Sequence, residues 1–556
     1  MPKQHSKFRT RNEQIFARWD RLADEKFTTL GVSREALKQM QKDMLGAIVL
    51  PGDPSYDQDR MLFNPVFNPL PCVIMYCESE DDVRVALNFS RQNALGFTVR
   101  SGGHCTAGFS GGYGVLIDVS GLQDVVISPD GSSVTVGTGC PFKKFYAALE
   151  SRGLHVPAGE CDDVCVGGFV QGGGIGFTSG SFGMNCDNVE SLRVMLWDGS
   201  VVVATENQNM DLWWAMRGGT GGNFGILLEV TYMTYQLQFC TGWALAWSMA
   251  TPQNRADCVN ALLTAQRAYM VGSPYGSNLT LQVLMVWQNI LDPTQPPLTN
   301  KIPVFMVRGL WVGTEVDARK SMAPMLSLPG CVTQFVITDR FTKVLDNLLS
   351  NPQDQPVVDP TMGMPNEDKS SRYVATPLST AACQEILDYF ATQSPNDLTY
   401  AYLEVYSGRI TAYPRQSSAF IHRDALFNTV LDVFWYLPKD RQNSETFMNG
   451  WNTMIEKYWN GEVYQNYPSI AVPNYVQNYW ADAAQTLSAV KMKYDPNEYF
   501  RFAQQVPATS GFDPGVGPVI PGYEAVLAAW AKPIDYSGGQ PPSPGASPDG
   551  KTRQSK

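Results

Sequence analysis

Hydrophobic and polar positions change period several times along the chain, and each change marks an element. Residues 71–76, from Pro71 to Tyr76, form a short apolar run suited to a buried strand. Residues 81–91 then place Val83, Ala86 and Leu87 on one face of an amphipathic helix. Phe97 to Arg100 reads as a second strand, so the order is β-α-β and a mixed domain begins here. Ahead of it, residues 1–60 form a polar helical segment with Phe16, Trp19 and Leu22 at helix-like intervals.

From Ser101 to Gly225 glycine becomes dense, set between short β-like runs at Val115–Val119, Val134–Val136 and Val201–Val203. Glycine at this density marks tight turns or backbone lying close against a ligand. After about residue 241 the composition turns to aromatics, Met and Pro. Longer helices follow, around Asn260–Arg267 and over Ser379–Gln393. The pattern divides the chain into the helical segment 1–60, a glycine-rich domain 61–240, a second domain 241–460, a segment 461–510 that regains the first domain's character, and a Pro/Gly-rich tail 511–556.

Charge narrows the function. With 42 Lys+Arg against 53 Asp+Glu, the net charge of −11 argues against nucleic acid as a partner, because such binding rests on cationic side chains meeting phosphates. No apolar stretch approaches the roughly 20 residues of a membrane-spanning helix. The basic amino terminus has no apolar run behind it, which predicts a cytoplasmic protein without a secretion signal. The 11 cysteines and four histidines (His5, His104, His155, His422) make neither a disulfide framework nor zinc-site spacing, so no metal site is expected.

Two nucleotide motifs fail on context. Gly545 to Thr552 satisfies the phosphate-loop pattern G-x-x-x-x-G-K-[ST]. It lies in the tail, with no strand before it and no helix after it to aim N–H groups at phosphate. The dinucleotide fingerprint G-x-G-x-x-G is missed at residues 172–179, where Phe177 and Ser179 stand in place of the third glycine, which disfavours a Rossmann dehydrogenase.

Four glycine loops in order carry the informative signal. Arg100, Ser101, Gly102, Gly103 and His104 spell R-S-G-G-H and lead to Gly108. Pro157, Ala158, Gly159, Glu160 and Cys161 spell P-A-G-E-C and run through Val164 to Gly167 and Gly168. Gly172, Gly174 and Gly176 follow, then Asp187 and Asn188, then the run from Arg217 to Gly225 and Ile226. Such loops present backbone N–H groups to an anionic or carbonyl-rich ligand, with an imidazole and a thiol set among them.

These motifs, with Tyr464, Asn466 and Tyr467 in a Y-x-N-Y pattern, resemble the berberine-bridge-enzyme-like branch of the vanillyl-alcohol-oxidase flavoprotein superfamily, over roughly Pro65 to Pro507. The resemblance implies an α+β, two-domain PCMH-type FAD-binding fold, with a substrate domain built on an antiparallel sheet flanked by helices. It implies FAD held bicovalently, His104 at the flavin 8α-methyl carbon and Cys161 at C6. The other loop residues named above, and Asn466, are implied to bind the cofactor. Cys105 and Cys165 depart from the family pattern by adding thiols beside both attachment points, so Cys165 or Cys105 is an alternative to Cys161. Phe169 stands where several relatives place a histidine near the pyrimidine edge.

By the same resemblance Tyr467 faces flavin N5 and is the candidate base. A base is needed because hydride loss from a carbinol carbon leaves a protonated carbonyl unless the hydroxyl proton also departs. Residues 407–413 resemble the block that carries a glutamate base in alkaloid-cyclising relatives. Ile410, Thr411 and Ala412 supply no carboxylate, which points toward hydroxyl oxidation. His422 reads as structural. The expected reaction passes hydride from a saccharide hemiacetal or an alcohol to flavin and then to O2, giving H2O2. Val164 matches a position governing oxygen access. Trp243, Trp247, Trp287, Trp311, Trp435 and Tyr402 are candidate faces for sugar rings. The alternatives are a tailoring oxidase for a natural-product alcohol and a flavin-binding protein that does not turn over.

Overall fold

The computed structural model describes residues 2–350, 359 and 361–508. The phosphate-loop pattern at 545–552 and the tail 511–556 lie outside the described residues.

The β-α-β reading holds in detail. Strand Val73–Tyr76 pairs in parallel with Val115–Asp118, which pairs in parallel with Phe97–Arg100. Helix Glu80–Gln92 starts at Ser79, whose side chain accepts the Asp82 N–H, with three carboxylates in its first turn facing the positive end of the helix dipole. The amino-terminal segment does not stand apart from this sheet. Its strand Ile48–Val49 joins the edge, antiparallel to Val73–Tyr76, and Trp19 and Leu37 are fully buried in the same core as Val73 and Val83. A second, five-stranded antiparallel sheet follows, with Ile226–Met233 at its centre.

Beyond residue 240 the chain builds a seven-stranded sheet. In chain order its strands are β1 (Cys240–Ser248), β2 (Leu279–Gln288), β3 (Ile302–Trp311), β4 (Val332–Asp339), β5 (Asn366–Val374), β6 (Tyr400–Val405) and β7 (Phe427–Trp435). They pair antiparallel in the spatial order β4-β1-β3-β2-β6-β7-β5. Alternation along each strand gives the sheet two different faces. One face sends Trp243, Val283, Leu403, Leu431 and Val433 into a core with helices Pro252–Ala265, Thr380–Gln393 and Pro438–Ile455.

The opposite face carries polar side chains in register. Arg308 of β3 lies opposite Gln282 of β2, Gln282 opposite Glu404 of β6, and Glu404 opposite Asn428 of β7. Four residues along, Tyr400 and Lys369 both lie opposite Asp432. Burying so many polar groups on one sheet face is costly unless each finds a partner, so this face marks a site rather than a core.

The carboxyl-terminal segment returns to the first domain. The Lys491 ammonium is fully buried and donates to the Asn223 carbonyl at 2.7 Å, to Asp495 at 2.7 Å and to the Phe500 carbonyl at 2.8 Å. Among the described residues, no helix is long and apolar enough to cross a membrane.

Candidate active site

The first domain and the polar sheet face share a cavity of about 350 Å³. Its wall on one side comes from the glycine loops and on the other from Glu367, Lys369, Tyr402 and Tyr467.

His104 reaches the wall because the chain turns sharply after strand Phe97–Arg100, with Gly103 at φ +73°. The strand end is pinned by Arg100, whose guanidinium is buried against Asp118 at 2.5 Å. The His104 ring stacks on Phe63 at 4.4 Å. Burial pulls its pKa down to about 4, with Asp163 opposing weakly, so the imidazole is neutral and keeps a lone pair at neutral pH.

Of the three thiols near the attachment points, Cys161 and Cys105 lie on the cavity wall, both partly exposed. Cys165 also touches the cavity but is buried, and its thiol donates to the Gly139 carbonyl at 3.3 Å. Burial pushes its pKa up to about 12, far from a reactive thiolate. Burial also raises the Cys105 thiol, against backbone N–H groups of Ala107 to Ser110 that pull it down.

Two observations test whether these loops fit a flavin dinucleotide. A Cβ placed on Gly168 would meet nothing within 4 Å, so packing does not require glycine there and its backbone lies bare beside the cavity. The donor set also fits, because Ser101, Gly102 and Gly103 bring peptide groups to the same cavity as a neutral imidazole and a thiol. The residues fit FAD.

Ser101, Gly102, Gly103, Gly159, Val164, Gly167, Gly225, Ile226 and Asn466 all reach the cavity wall. Arg100, Gly108, Gly172, Gly174, Gly176, Asp187 and Asn188, expected to contact the cofactor, lie off that wall. The glycines there serve close packing. A Cβ would lie 2.6 Å from the Phe67 ring at Gly108, 2.0 Å from the Asn466 side chain at Gly172, 2.3 Å from the Phe169 ring at Gly174 and 2.0 Å from the Ala158 carbonyl at Gly176. Asp187 forms a fully buried two-bond pair with Arg423, at 2.6 and 2.8 Å. Asn188 donates to the Met184 carbonyl at 2.8 Å and accepts from Tyr235.

Tyr467 meets a partner that the sequence reading did not include. Its hydroxyl donates to Oε1 of Glu404 at 2.7 Å, and Asn428 donates to Oε2 at 3.1 Å. Burial raises the Tyr467 phenol well above its usual range, whereas burial offset by hydrogen bonds and Lys369 leaves Glu404 at about 7. The Lys369 ammonium lies 4.7 Å from the centre of the Tyr467 ring and pairs with Asp432 at 2.7 Å. Glu404 stands in the sequence as a lone charge in the apolar run Tyr400–Val405, whereas Lys369 lies among other charges, Glu367, Asp368 and Arg372, and gives no such signal. His422 is fully buried off the cavity, between Glu462 at 2.8 Å and Gln465 at 2.9 Å.

Comparison with known proteins gives the same class as the fold and site. A family model described as an FAD binding domain matches residues 71–205, and one described as berberine and berberine like matches residues 463–507. An uncharacterized FAD-linked oxidoreductase of Bacillus subtilis, YgaK, is 26% identical over 474 residues, 84% of this chain and 98% of its own length. The FAD-linked oxidoreductase pgmH of Aspergillus terreus is 29% identical over 324 residues, 57% of this chain and 63% of its own. Among solved structures, BBE-like 1 of Physcomitrella patens has a TM-score of 0.73 at 22% identity, covering 85% of this chain and 99% of that one. A xylooligosaccharide oxidase from Myceliophthora thermophila, in complex with xylobiose, has a TM-score of 0.72 at 21% identity, covering 86% and 99%. Those structures share the PCMH-type two-domain α+β fold described above.

The chain is therefore an FAD-linked oxidoreductase. It resembles berberine-bridge-enzyme-like proteins in its carboxyl-terminal matched segment, and YgaK matches it along most of its length.

Proposed function

We propose that this enzyme oxidises a hydroxyl-bearing carbon, with a saccharide hemiacetal as the first substrate class and dioxygen as the final acceptor. The observation that carries the reading is the hydrogen bond from Tyr467, which lines the cavity, to the buried Glu404.

A buried phenol held well above its usual range does not act as a base alone. A pair does. As Tyr467 Oη takes the substrate's hydroxyl proton, it passes its own proton to Oε1 of Glu404. At about 7, Glu404 is matched to proton transfer at neutral pH. Lys369, beneath the ring, favours negative charge on the phenol oxygen during the exchange. The chemistry that FAD supplies when bound is acceptance of the hydride and its delivery to dioxygen as hydrogen peroxide.

His104 and Cys161 are the proposed covalent anchors. The neutral imidazole and the wall position of Cys161 support that reading, and the inward hydrogen bond of Cys165 argues against that thiol as the anchor. A hemiacetal hydroxyl is more acidic than that of an ordinary alcohol, which suits so weak a base as Glu404. Glu367 and Lys369 add polar partners for neighbouring hydroxyls. The xylooligosaccharide oxidase shares the fold and acts on a sugar, by its name.

A second reading, a natural-product alcohol, has its own support. Tyr400, Tyr402 and Phe434 form an aromatic shelf on the same wall, with centroids 5.8 and 5.7 Å apart. Anaerobic mixing with a panel of oligosaccharides and aryl alcohols tests both. Bleaching of flavin absorbance by the sugars supports the first class, and bleaching by aryl alcohols alone replaces it with the second. No bleaching by any member of a broad panel rejects both.

A further inference from the structure

The polar row on the sheet does more than hold the base. Arg308, nearly fully buried, donates from Nε at 3.0 Å and from Nη2 at 2.8 Å to one atom, Oε1 of Gln282. Its Nη1 donates to the Leu348 carbonyl at 2.6 Å, so the guanidinium is fixed from two sides. Two donors on Oε1 settle the orientation of the Gln282 amide, and its nitrogen must point the other way. There it donates to Oε1 of Glu160 at 2.6 Å. Glu160 is the residue before Cys161. Gln282 also stands directly opposite Glu404 in the β2–β6 register. One side chain thus touches the loop that carries the proposed sulfur anchor and neighbours the carboxylate that takes the proton.

We propose that Gln282, oriented by Arg308, is a positioning residue for the Cys161 anchor. It clamps the Pro157–Cys161 loop to the substrate sheet through Glu160, so that the thiol and the Tyr467–Glu404 pair share one register. The inference rests on the reading that Cys161 bonds the flavin. Sulfur attachment exchanges an S–H and a ring C–H for a C–S bond. The two protons and two electrons released go to dioxygen, giving hydrogen peroxide. Geometry governs such a step steeply, since a misplacement of about 1 Å costs on the order of a hundredfold in rate. Linkage at His104 depends on a loop fixed elsewhere, by Arg100 on Asp118 and by Phe63. The two anchors therefore respond differently to the same substitution.

The experiment is peptide mass spectrometry on full-length holoenzyme, scoring flavin on the His104 and Cys161 peptides of each molecule. Wild type showing no flavin on Cys161 removes the premise, and the inference falls with it. With wild type linked at both sites, Gln282→Met should lower the Cys161-linked fraction about tenfold or more while His104 stays linked. The His104 linkage reports a folded flavin domain within the same sample. Because Gln282→Met strands the Arg308 donors, Glu160→Leu provides a second route that leaves the Arg308–Gln282 contact intact, and it should give the same selective loss. Glu160→Gln keeps a carbonyl acceptor for Gln282 and should restore linkage. Full Cys161 linkage in both Gln282→Met and Glu160→Leu overturns the proposal, as does equal loss at both anchors.

Discussion

Glu404→Gln isolates the proton acceptor with little change in shape. The glutamine carbonyl still accepts from Tyr467 at the position of Oε1, but its NH2 then faces the Asn428 amide nitrogen where Oε2 had accepted at 3.1 Å. That mismatch costs about 1–3 kcal/mol of stability, to be read as a lowered Tm. The effect on chemistry is larger. A positioned general base contributes about 10²–10⁴ in rate, which is roughly 3–5.5 kcal/mol of barrier. The pH response has a definite sign. Burial raises the Glu404 carboxyl to about 7, and only the carboxylate accepts a proton. Flavin reduction should therefore speed up as pH rises through 7. With that midpoint, the ionised fraction climbs about tenfold from about pH 6 to about pH 8. The variant, with nothing to titrate there, should be slow and flat over the same range. Anaerobic stopped-flow reduction at saturating substrate reads both quantities. A variant within about threefold of wild type, or one that keeps the midpoint near 7, refutes the relay.

Tyr467→Phe should retain flavin and slow reduction by about 10²-fold or more, because the substrate hydroxyl loses its direct partner while Glu404 remains. Lys369→Met removes a cation that pulls Glu404 down, so the pH midpoint of reduction should move upward from 7. The same change strands the buried Asp432 carboxylate and should cost about 3–5 kcal/mol in denaturant unfolding. Arg423→Met leaves Asp187 as an uncompensated buried charge, with a comparable loss of about 3–5 kcal/mol and a lower Tm.

Much of the fold was legible because local pattern and local structure coincide. Phe97–Arg100 formed as the strand that its sequence suggested, and Ser379 caps the helix Thr380–Gln393 through the Ala382 N–H. The wall glycines could not be separated from the packing glycines in the same way. Gly168 is bare toward a cavity and Gly172 is pressed against Asn466, yet both belong to one glycine-rich stretch. The space around a missing Cβ separates these two, but Gly167 on the cavity wall is also tightly packed, with an added Cβ 1.8 Å from the Thr138 hydroxyl. Asp187 was expected to contact the cofactor only because the family resemblance implied it. Its partner, Arg423, is far along the chain, and no local pattern joins them. Glu404 was missed for a related reason. A carboxylate was sought in the stretch around 410–412, where relatives suggested one, while β6 presents its own to Tyr467 across a register set by four neighbouring strands.

A single cross-linked species tests the central claim most directly. Wild-type protein is precipitated with acid, digested, and its yellow peptides are weighed. The account predicts one flavin mass joining the peptide with His104 to the peptide with Cys161. Both peptides recovered at their unmodified masses, with the pigment left in the acid supernatant, would contradict it.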